Sequence, residues 1–194
     1  MIRMASEQDA EAITAIYGPI VATTAISFEL TVPSVDEVEQ RIRNYLQFAP
    51  WLVFAGSDQR VLGYAYASKH RERMAYQWSV DMAIYVDSTR RRRGIGRALY
   101  TSLAALLRLQ GFYAAHAGIT LPNAASVALH ESVGFRPVGV YRGVGYKLGT
   151  WHDVGWWQLS LRDRTGKPAP PRSVAEVQRD PQWKSAIAAG ALDP

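Results

Sequence analysis

The chain has 194 residues, a formal net charge of +5 and no cysteine. A chain of this length buries one substantial core and does not require a second domain. The lack of cysteine excludes a disulfide framework, a thiolate nucleophile and a sulfur-bound zinc site, and it favours a reducing cytoplasm. The basic balance favours an anionic partner, and charge alone does not choose between nucleic acid, an acidic surface and a phosphorylated cofactor.

Hydropathy gives no sign of a membrane segment. Residues 1–7 contain no apolar signal core, and no stretch approaches the roughly 20 apolar residues that a membrane helix needs. We therefore expect a soluble, cytoplasmic protein without a membrane partner.

The first half of the chain predicts two helices followed by three strands. Apolar residues recur at helical spacing after Glu7, and Ser34 and Glu37 form a capping box before a second amphipathic run. Three β-rich runs follow, the first two joined by a hairpin turn at 56–60. The predicted elements are helices 7–17 and 34–46 and strands 51–55, 61–67 and 77–86.

The second half predicts a helix, a strand, a second helix and two closing strands. A leucine stripe along the first helix ends at Gly111, and the second helix ends at Gly134. The order is that of a mixed α/β (α+β) domain over 1–163. The predicted elements are helices 97–110 and 124–133 and strands 112–119, 135–147 and 154–161.

The composition changes to proline and alanine from Arg164, most clearly at 167–171. Such a composition favours extended chain over a packed element. We therefore expect 164–194 to be an extended tail with one loosely docked helix, and we assign it no chemistry.

A basic turn between the third strand and the leucine-striped helix is the most informative segment. Four arginines, Arg90–Arg93, are followed by Gly94 and Gly96. The glycines let the backbone approach a bulky anion, and the helix start offers unpaired N–H groups and a positive dipole end. A pyrophosphate fits this pattern, while a solvated basic turn and a nucleic-acid contact remain open. A P-loop and a Rossmann fingerprint are excluded, because no Gly-Lys-Ser/Thr and no third glycine follow.

Two sequence blocks resemble those of one enzyme superfamily. Residues 91–96, Arg-Arg-Arg-Gly-Ile-Gly, resemble the Arg/Gln-x-x-Gly-x-Gly/Ala signature of GNAT acetyltransferases. Residues 121–135 resemble the second block of that family, in which Asn-x-x-Ser opens a helix beside the cofactor and Gly-Phe closes it. Taken alone, Asn123 is a good N-cap and Gly134 a good helix end. The occurrence of both blocks at the family separation favours the resemblance.

Further matches extend over 2–162 and resemble the phosphinothricin and methionine sulfone acetyltransferase group. The most discriminating is 145–155, Gly-Tyr-Lys-Leu-Gly-Thr-Trp-His-Asp-Val-Gly. An alternative explanation of this block is aromatic core packing beside a turn at Gly149, which we expect for the tryptophans Trp151, Trp156 and Trp157.

The resemblance implies acetyl-CoA as co-substrate and no metal. In this family the strand before the turn binds the pantetheine arm through backbone groups, the turn clasps the pyrophosphate, and the second block lies beside the cofactor. The cofactor contacts implied are Ile84, Tyr85, Val86, Arg92, Arg93, Gly94, Ile95, Gly96, Arg97, Asn123 and Ser132.

The resemblance also implies catalytic residues. Asp81 stands where the group usually has a glutamate that takes the ammonium proton, and the shorter side chain favours relay through a water. Strand alternation places Asp81 and Ala83 on one face, although an edge-strand charge remains the alternative. His130 stands where many superfamily members have a tyrosine that protonates the leaving thiolate. A helix-surface histidine without function is equally compatible with its position.

The acceptor contacts implied come from the residues just before and within the third strand. Arg71 and Arg73 match substrate positions of the group, and a guanidinium there can hold an α-carboxylate bidentately. Exposed loop arginines without a role are the alternative. Met82 and Ala83 would border the acceptor through their backbone.

The function that the resemblance implies is direct acetyl transfer from acetyl-CoA to the amine of a small amino-acid-like acceptor. The fold implied is a GNAT domain, with a twisted, mostly antiparallel sheet whose central strands splay, and the family commonly forms homodimers. A catalytically weak, CoA-binding regulatory module is the alternative. A nucleic-acid-binding protein is disfavoured because the basic run lacks interleaved aromatic residues.

Overall fold

One seven-stranded mixed sheet organises the molecule, and the computed structural model describes residues 1–192. The last two residues of the predicted extension, Asp193 and Pro194, lie outside the described residues. The sheet order is β1-β2-β3-β4-β5-β7-β6. The strands are β1 (Ile2–Met4), β2 (Trp51–Ala55), β3 (Val61–Lys69), β4 (Ser79–Val86), β5 (Ala114–Leu121), β6 (Arg136–Lys147) and β7 (Thr150–Ser160).

Six α-helices flank this sheet within the described chain. Helices α1 and α2 cover one face through an aromatic cluster that includes Trp51 and Tyr64, and α3 covers the other face with its leucine stripe. Burial of both faces is the main source of stability, since apolar area removed from water drives folding. The helices are α1 (Ala10–Thr23), α2 (Val35–Leu46), α3 (Ile95–Gln110), α4 (Ala124–Ser132), α5 (Val174–Val177) and α6 (Trp183–Ala188).

The centre of the sheet opens between β4 and β5. These strands are the parallel neighbours in an otherwise antiparallel sheet, and they pair over three positions that end at Asp81 opposite His116. Beyond that rung β4 continues to Val86 and β5 to Leu121 without pairing. The backbone groups along this gap have no strand partner. The predicted mixed sheet with splayed central strands is therefore confirmed.

Local sequence signals account for several helix boundaries. The Ser34 side chain accepts a hydrogen bond from the Glu37 N–H, and the Glu37 side chain accepts one from the Ser34 N–H, so the predicted capping box is present. Helix α3 ends at Gly111, whose φ of 100° lies in the left-handed region that glycine tolerates.

Several predicted boundaries are wrong by a few residues. The first helix is preceded by a 3-10 turn and runs on to Thr23, and α3 begins at Ile95 rather than 97. The third strand begins at Ser79, because residues 74–76 form a 3-10 turn before it. The last strand begins at Thr150, directly after a turn formed by Leu148 and Gly149, both with positive φ. The three-residue strand β1 was not predicted from the sequence.

The carboxyl-terminal extension is docked, which corrects the expectation of a loose tail. Val174 and Val177 are buried, and the Ser102 hydroxyl of α3 donates to the Ile187 carbonyl at 2.7 Å and accepts from the Gly190 N–H at 3.0 Å. A Cβ at Gly190 would collide with the backbone carbonyl of Ala98. Two short helices therefore pack on α3, where one loosely attached helix was expected.

Among the residues that the structure describes, no helix has the length and apolarity needed to cross a bilayer.

Candidate active site

A cleft of about 70 Å³ occupies the gap between the splayed strands. Its lining includes the predicted cofactor and acceptor residues Met82, Ala83, Ile84, Tyr85 and Asn123, together with His130. Because β4 has no strand partner on this side, its N–H and C=O groups are available to an extended ligand. This arrangement fits a pantetheine arm lying along the strand.

The basic turn adjoins one end of this cleft. Asp87 accepts hydrogen bonds from the N–H and hydroxyl of Thr89, each at 2.8 Å, and an ion pair with Arg60 at 3.1 Å steadies it from outside. Arg92 and Gly94 then take positive φ values of 61° and 78°. The left-handed turn directs the chain into α3.

Helix α3 begins at this turn without a capping side chain. Gly94 is its N-cap residue and has no side chain to accept from the first N–H groups. Those groups are left to water or a ligand, and the helix dipole favours an anion there. The side chains of Arg92, Arg93 and Arg97 are exposed and make no hydrogen bond or ion pair within residues 1–192. The turn fits a pyrophosphate by its backbone and by its free cations.

Close packing explains why position 96 is a glycine, and the sequence alone did not reveal this. A Cβ at this position would lie 3.0 Å from a methyl of Leu129 and 3.5 Å from one of Ile84. The glycine therefore lets α3 approach α4 and β4 closely, which keeps the start of α3 beside the cleft.

The second sequence block places its residues unequally. The Asn123 side-chain oxygen accepts from the Ser126 N–H at 3.1 Å, so it caps α4 and leaves its amide N–H groups for the cleft. Ser126 lines the cleft as well. Ser132 is exposed at the far end of α4 and donates to the Leu129 carbonyl, outside the lining of this cleft.

His130 is buried, with 4% of its surface exposed, and both ring nitrogens are engaged. Nδ1 lies 2.7 Å from the Ser126 carbonyl oxygen, so this nitrogen carries the hydrogen. Nε2 then accepts from the Tyr100 hydroxyl at 3.0 Å. Burial lowers the pKa of His130, and the hydrogen bond to Ser126 opposes this only in part. The imidazole is therefore a neutral acceptor, and it is not the surface histidine that the sequence left open.

Asp81 lies at the base of the splay, where three titratable groups meet. Its carboxylate oxygen is 2.6 Å from Nδ1 of His70, and the His70 ring stacks on that of His116 at 4.2 Å between centroids. Asp81 retains 29% side-chain exposure and His70 14%, so the pair is sheltered and still partly accessible. Burial raises the pKa of the Asp81 carboxyl, while the His70 hydrogen bond lowers it.

The donor atoms of Asp81, His70 and His116 lie within 4.8 Å of one another, close enough for a metal ion to be considered. Donors around one zinc ion at about 2.0–2.1 Å would be about 3.3 Å apart in a tetrahedral site. The separation of 2.6 Å between Asp81 and His70 is instead that of a short charge-assisted hydrogen bond. The geometry favours acid–base chemistry at this site.

The two predicted acceptor arginines differ in placement. The Arg71 guanidinium lies 5.9 Å from the Trp156 ring centroid and donates to the His70 carbonyl at 2.7 Å, close enough to lower the pKa of Asp81. Arg73 is exposed at the start of a 3-10 turn, and within the described chain its side chain has no hydrogen-bond partner. The structure therefore brings Arg71 to the site and leaves Arg73 at its edge.

The loop between α1 and α2 covers the acceptor side of the cleft. Ile26 lines the cleft, and Phe28 packs directly over Gly145. Buried Lys147 holds the start of this loop by donating to the Val21 and Ser27 carbonyls at 2.7 Å each. The 145–155 block thus shapes the site through packing. Trp157, just after this block, is buried as expected. Trp151, within the block, is 66% exposed, so core packing does not explain the presence of this tryptophan.

Sequence reasoning missed His70, His116 and Tyr100. They come from the residue after β3, from β5 and from α3, and no local spacing links them. The only available signal for His116 was strand register, because it stands opposite Asp81 in the last paired rung.

Comparison with known proteins agrees with this geometry. Residues 2–156 match the model of the acetyltransferase (GNAT) domain. The chain is 39% identical over 180 residues to the phosphinothricin N-acetyltransferase of Streptomyces viridochromogenes, covering 91% of this chain and 93% of that protein. It is 34% identical over 168 residues to the L-methionine sulfoximine/L-methionine sulfone acetyltransferase of Pseudomonas aeruginosa, covering 86% and 98%.

A solved structure gives the same result. The phosphinothricin acetyltransferase of Sinorhizobium meliloti in complex with acetyl-CoA superposes with a TM-score of 0.84 at 33% identity, covering 87% of this chain and 92% of that one. The open β4–β5 gap, the uncapped start of α3 and the matches over most of the chain have one common explanation, which is that the chain belongs to the GNAT acetyltransferase family.

Proposed function

We propose that the protein transfers the acetyl group of acetyl-CoA to the amine of a small amino-acid-like acceptor of the phosphinothricin, methionine sulfone or methionine sulfoximine type. The observation that carries this is the pairing of a cofactor cleft with a sheltered Asp81–His70 pair, beside which Arg71 lies. A proton acceptor and a guanidinium next to the reacting end of the cleft suit an α-amino acid.

The chemistry requires an unprotonated amine. An aliphatic amine is mainly protonated at neutral pH, so a group in the site must accept a proton before attack on the thioester. Asp81 takes part in this step. Because its carboxylate is engaged by His70 at 2.6 Å, it acts through a relay and not by direct contact with the ammonium.

Attack on the acetyl carbonyl develops negative charge on its oxygen. A backbone N–H near Ile84, on the unpaired side of β4, stabilises this charge, and the acyl group passes directly to the amine. His130 supports departure of the thiolate through Tyr100. As a neutral acceptor of the Tyr100 hydroxyl hydrogen it has no proton of its own to donate at Nε2, so its role is secondary.

Cofactor recognition falls to the turn and to α4. We assign the pyrophosphate to residues 92–97 and the pantetheine arm to 84–86 and Asn123, in preference to any nucleic-acid role for the arginines. The uncapped start of α3 supports this assignment, because it offers N–H groups to a compact anion. Ser132 makes at most an outer contact with the cofactor from its exposed position.

We further propose that the protein is a cytoplasmic homodimer that associates through β6 and β7. Apolar side chains are exposed along this edge hairpin, including Val138, Val144 and Tyr146, and such contiguous apolar surface favours a protein partner. Light scattering after size-exclusion chromatography should give twice the monomer mass. Tyr146→Glu should shift the protein to a monomer, and a monomeric wild type at assay concentrations contradicts this part of the proposal.

A thiol-release screen tests the enzymatic proposal. Acetyl-CoA is supplied with phosphinothricin, methionine sulfone, methionine sulfoximine and unrelated amines, and the product is identified by mass spectrometry. We expect release of CoA and an N-acetylated product with at least one of the three amino-acid-like acceptors. Tight acetyl-CoA binding without transfer to any amine would instead indicate the CoA-binding regulatory module.

A further inference from the structure

His70 is oriented by a hydrogen bond to Asp81. The Asp81 carboxylate can only accept, so at 2.6 Å the hydrogen belongs to Nδ1 of His70. The neutral His70 ring then has its lone pair on Nε2, and this is the ring nitrogen that can take a proton. A carboxylate that holds an imidazole in one tautomer in this way is a recurrent arrangement for a general base.

An imidazole is better matched to this step than the carboxylate. Efficient general bases have a pKa near the working pH, and ordinary values are about 6.5 for histidine and about 3.9 for aspartate. Asp81 is also the shorter carboxylic acid, and its carboxylate is engaged by the His70 ring. The His70 side chain can therefore take the place of the water that was expected to relay the proton to Asp81.

Charged and titratable groups from two strands and from its own loop surround His70. Its ring contacts Asp81 from β4, His116 from β5 and Tyr76 from its own loop, and its backbone carbonyl accepts from Arg71. Burial, and then the neighbouring His70, lower the pKa of His116. The stacked His116 therefore stays neutral, and positive charge in the stack is compensated by Asp81 alone at hydrogen-bond distance.

We propose that His70, held by Asp81, is the general base that deprotonates the acceptor ammonium, with Asp81 as its positioning residue. This rests on the proposed acetyl transfer. One ammonium proton passes to Nε2 of His70 and then to solvent. The freed nitrogen lone pair forms the C–N bond as the C–S bond breaks, the electron pair of that bond leaves on sulfur, and a second nitrogen proton reaches the thiolate. The products are the amide, CoA thiol and one released proton.

Steady-state kinetics of the full-length protein across pH 6–9 test the assignment, with acetyl-CoA saturating and methionine sulfone as acceptor. His70→Gln retains a donor for Asp81 and removes the base, so kcat should fall by about 10²–10⁴-fold. The acid limb of the kcat/KM profile should also disappear. His70→Ala should regain activity when free imidazole is added. Glu72→Gln, on the same loop and fully outside the cluster, is the matched control and should behave as wild type.

The outcomes separate this assignment from its rivals. If His70→Gln keeps the rate and the acid limb, or His70→Ala is not rescued while acetyl-CoA affinity and fold are intact, the base is another group. Asp81→Asn should retain an acid limb displaced to lower pH, because the imidazolium loses its anionic partner. Complete loss of the limb in that variant would assign the base to Asp81. Failure of the proposed function is distinct, since the wild-type protein itself would then release no thiol.

Discussion

His70 and His130 flank the same splayed strands and have opposite surroundings. His130 is 4% exposed, donates to a backbone carbonyl, accepts from Tyr100 and has a lowered pKa. His70 has one nitrogen on the Asp81 carboxylate, and its side chain stays 14% exposed. A histidine with two neutral partners is held in place, whereas one beside a carboxylate can accept a proton and remain compensated. We therefore propose that proton transfer belongs to the Asp81–His70 pair and that His130 supports the cofactor end.

The largest effect on kcat should come from disrupting the Asp81–His70 pair. Asp81→Asn keeps approximate shape but removes the anion that orients and compensates His70, so kcat should fall by about 10²–10⁴-fold. The loss should shrink as pH rises, because more acceptor amine is then neutral before it binds. His130→Ala should lower kcat less, since water can protonate the thiolate. Equal falls in kcat in the two variants, with acetyl-CoA affinity unchanged, would contradict these different roles for Asp81 and His130.

An effect of similar size, on acetyl-CoA binding alone, should come from changing the turn at 92–97. Gly94→Asp places a side chain at a φ of 78° and a negative charge beside the expected pyrophosphate. Calorimetry should show acetyl-CoA affinity weakened by about 100-fold, roughly 2.7 kcal/mol. The matched control is Gly166→Asp, at a φ of 67° with open space around it. Similar acetyl-CoA affinity in the two variants would show that the turn does not bind the pyrophosphate.

A smaller effect distinguishes the two acceptor arginines. Arg71→Ala should raise the acceptor KM by about tenfold or more, because a hydrogen bond between charged groups contributes about 1.5–3 kcal/mol. Arg73→Ala is the internal control and should change the acceptor KM little, since Arg73 lies at the edge of the site. Neither variant should alter the KM for acetyl-CoA. If Arg73→Ala has the larger effect, the acceptor carboxylate lies elsewhere.

The smallest expected effect is on stability and concerns His130 alone. Its folded-state pKa is lowered by burial, so protons bind the unfolded chain more tightly. This contribution to stability is complete above the unfolded value of about 6.5 and is lost as pH falls below it. Urea denaturation at pH 7.5 and 5.5 should therefore show a smaller acid-induced loss in His130→Gln than in wild type. An identical loss in both proteins would mean that His130 is not the buried neutral ring described.

Elements with strong local signals were predictable from the sequence, and elements made by long-range packing were not. The capping box at Ser34 and the leucine stripe of α3 act within one helix, so their periodicity is visible in the chain. The extension was misjudged because proline and alanine favour extended chain. Its docking depends on Gly190 fitting against Ala98, which no local pattern reports.

The site shows the same limit. The turn at 92–97 and the helix cap at Asn123 are contiguous motifs; Asn123 lines the cleft, and Gly96 packs near Ile84, which lines it too. The partners of Asp81 are not contiguous with it. His70 directly follows β3 and His116 lies in β5, so the arrangement of the strands brings the three groups together. Residue roles in this site therefore depend on sheet geometry that single-sequence reasoning does not supply.

The most direct test of the central claim compares one acceptor with its decarboxylated analogue. With acetyl-CoA saturating, kcat/KM is measured for methionine sulfone and for the matching amine that lacks the carboxylate. An enzyme that binds the α-carboxylate at Arg71 and deprotonates the adjacent ammonium at the Asp81–His70 pair should favour the amino acid by about tenfold or more. Equal values, or thiol release with neither compound nor with phosphinothricin, would contradict the account.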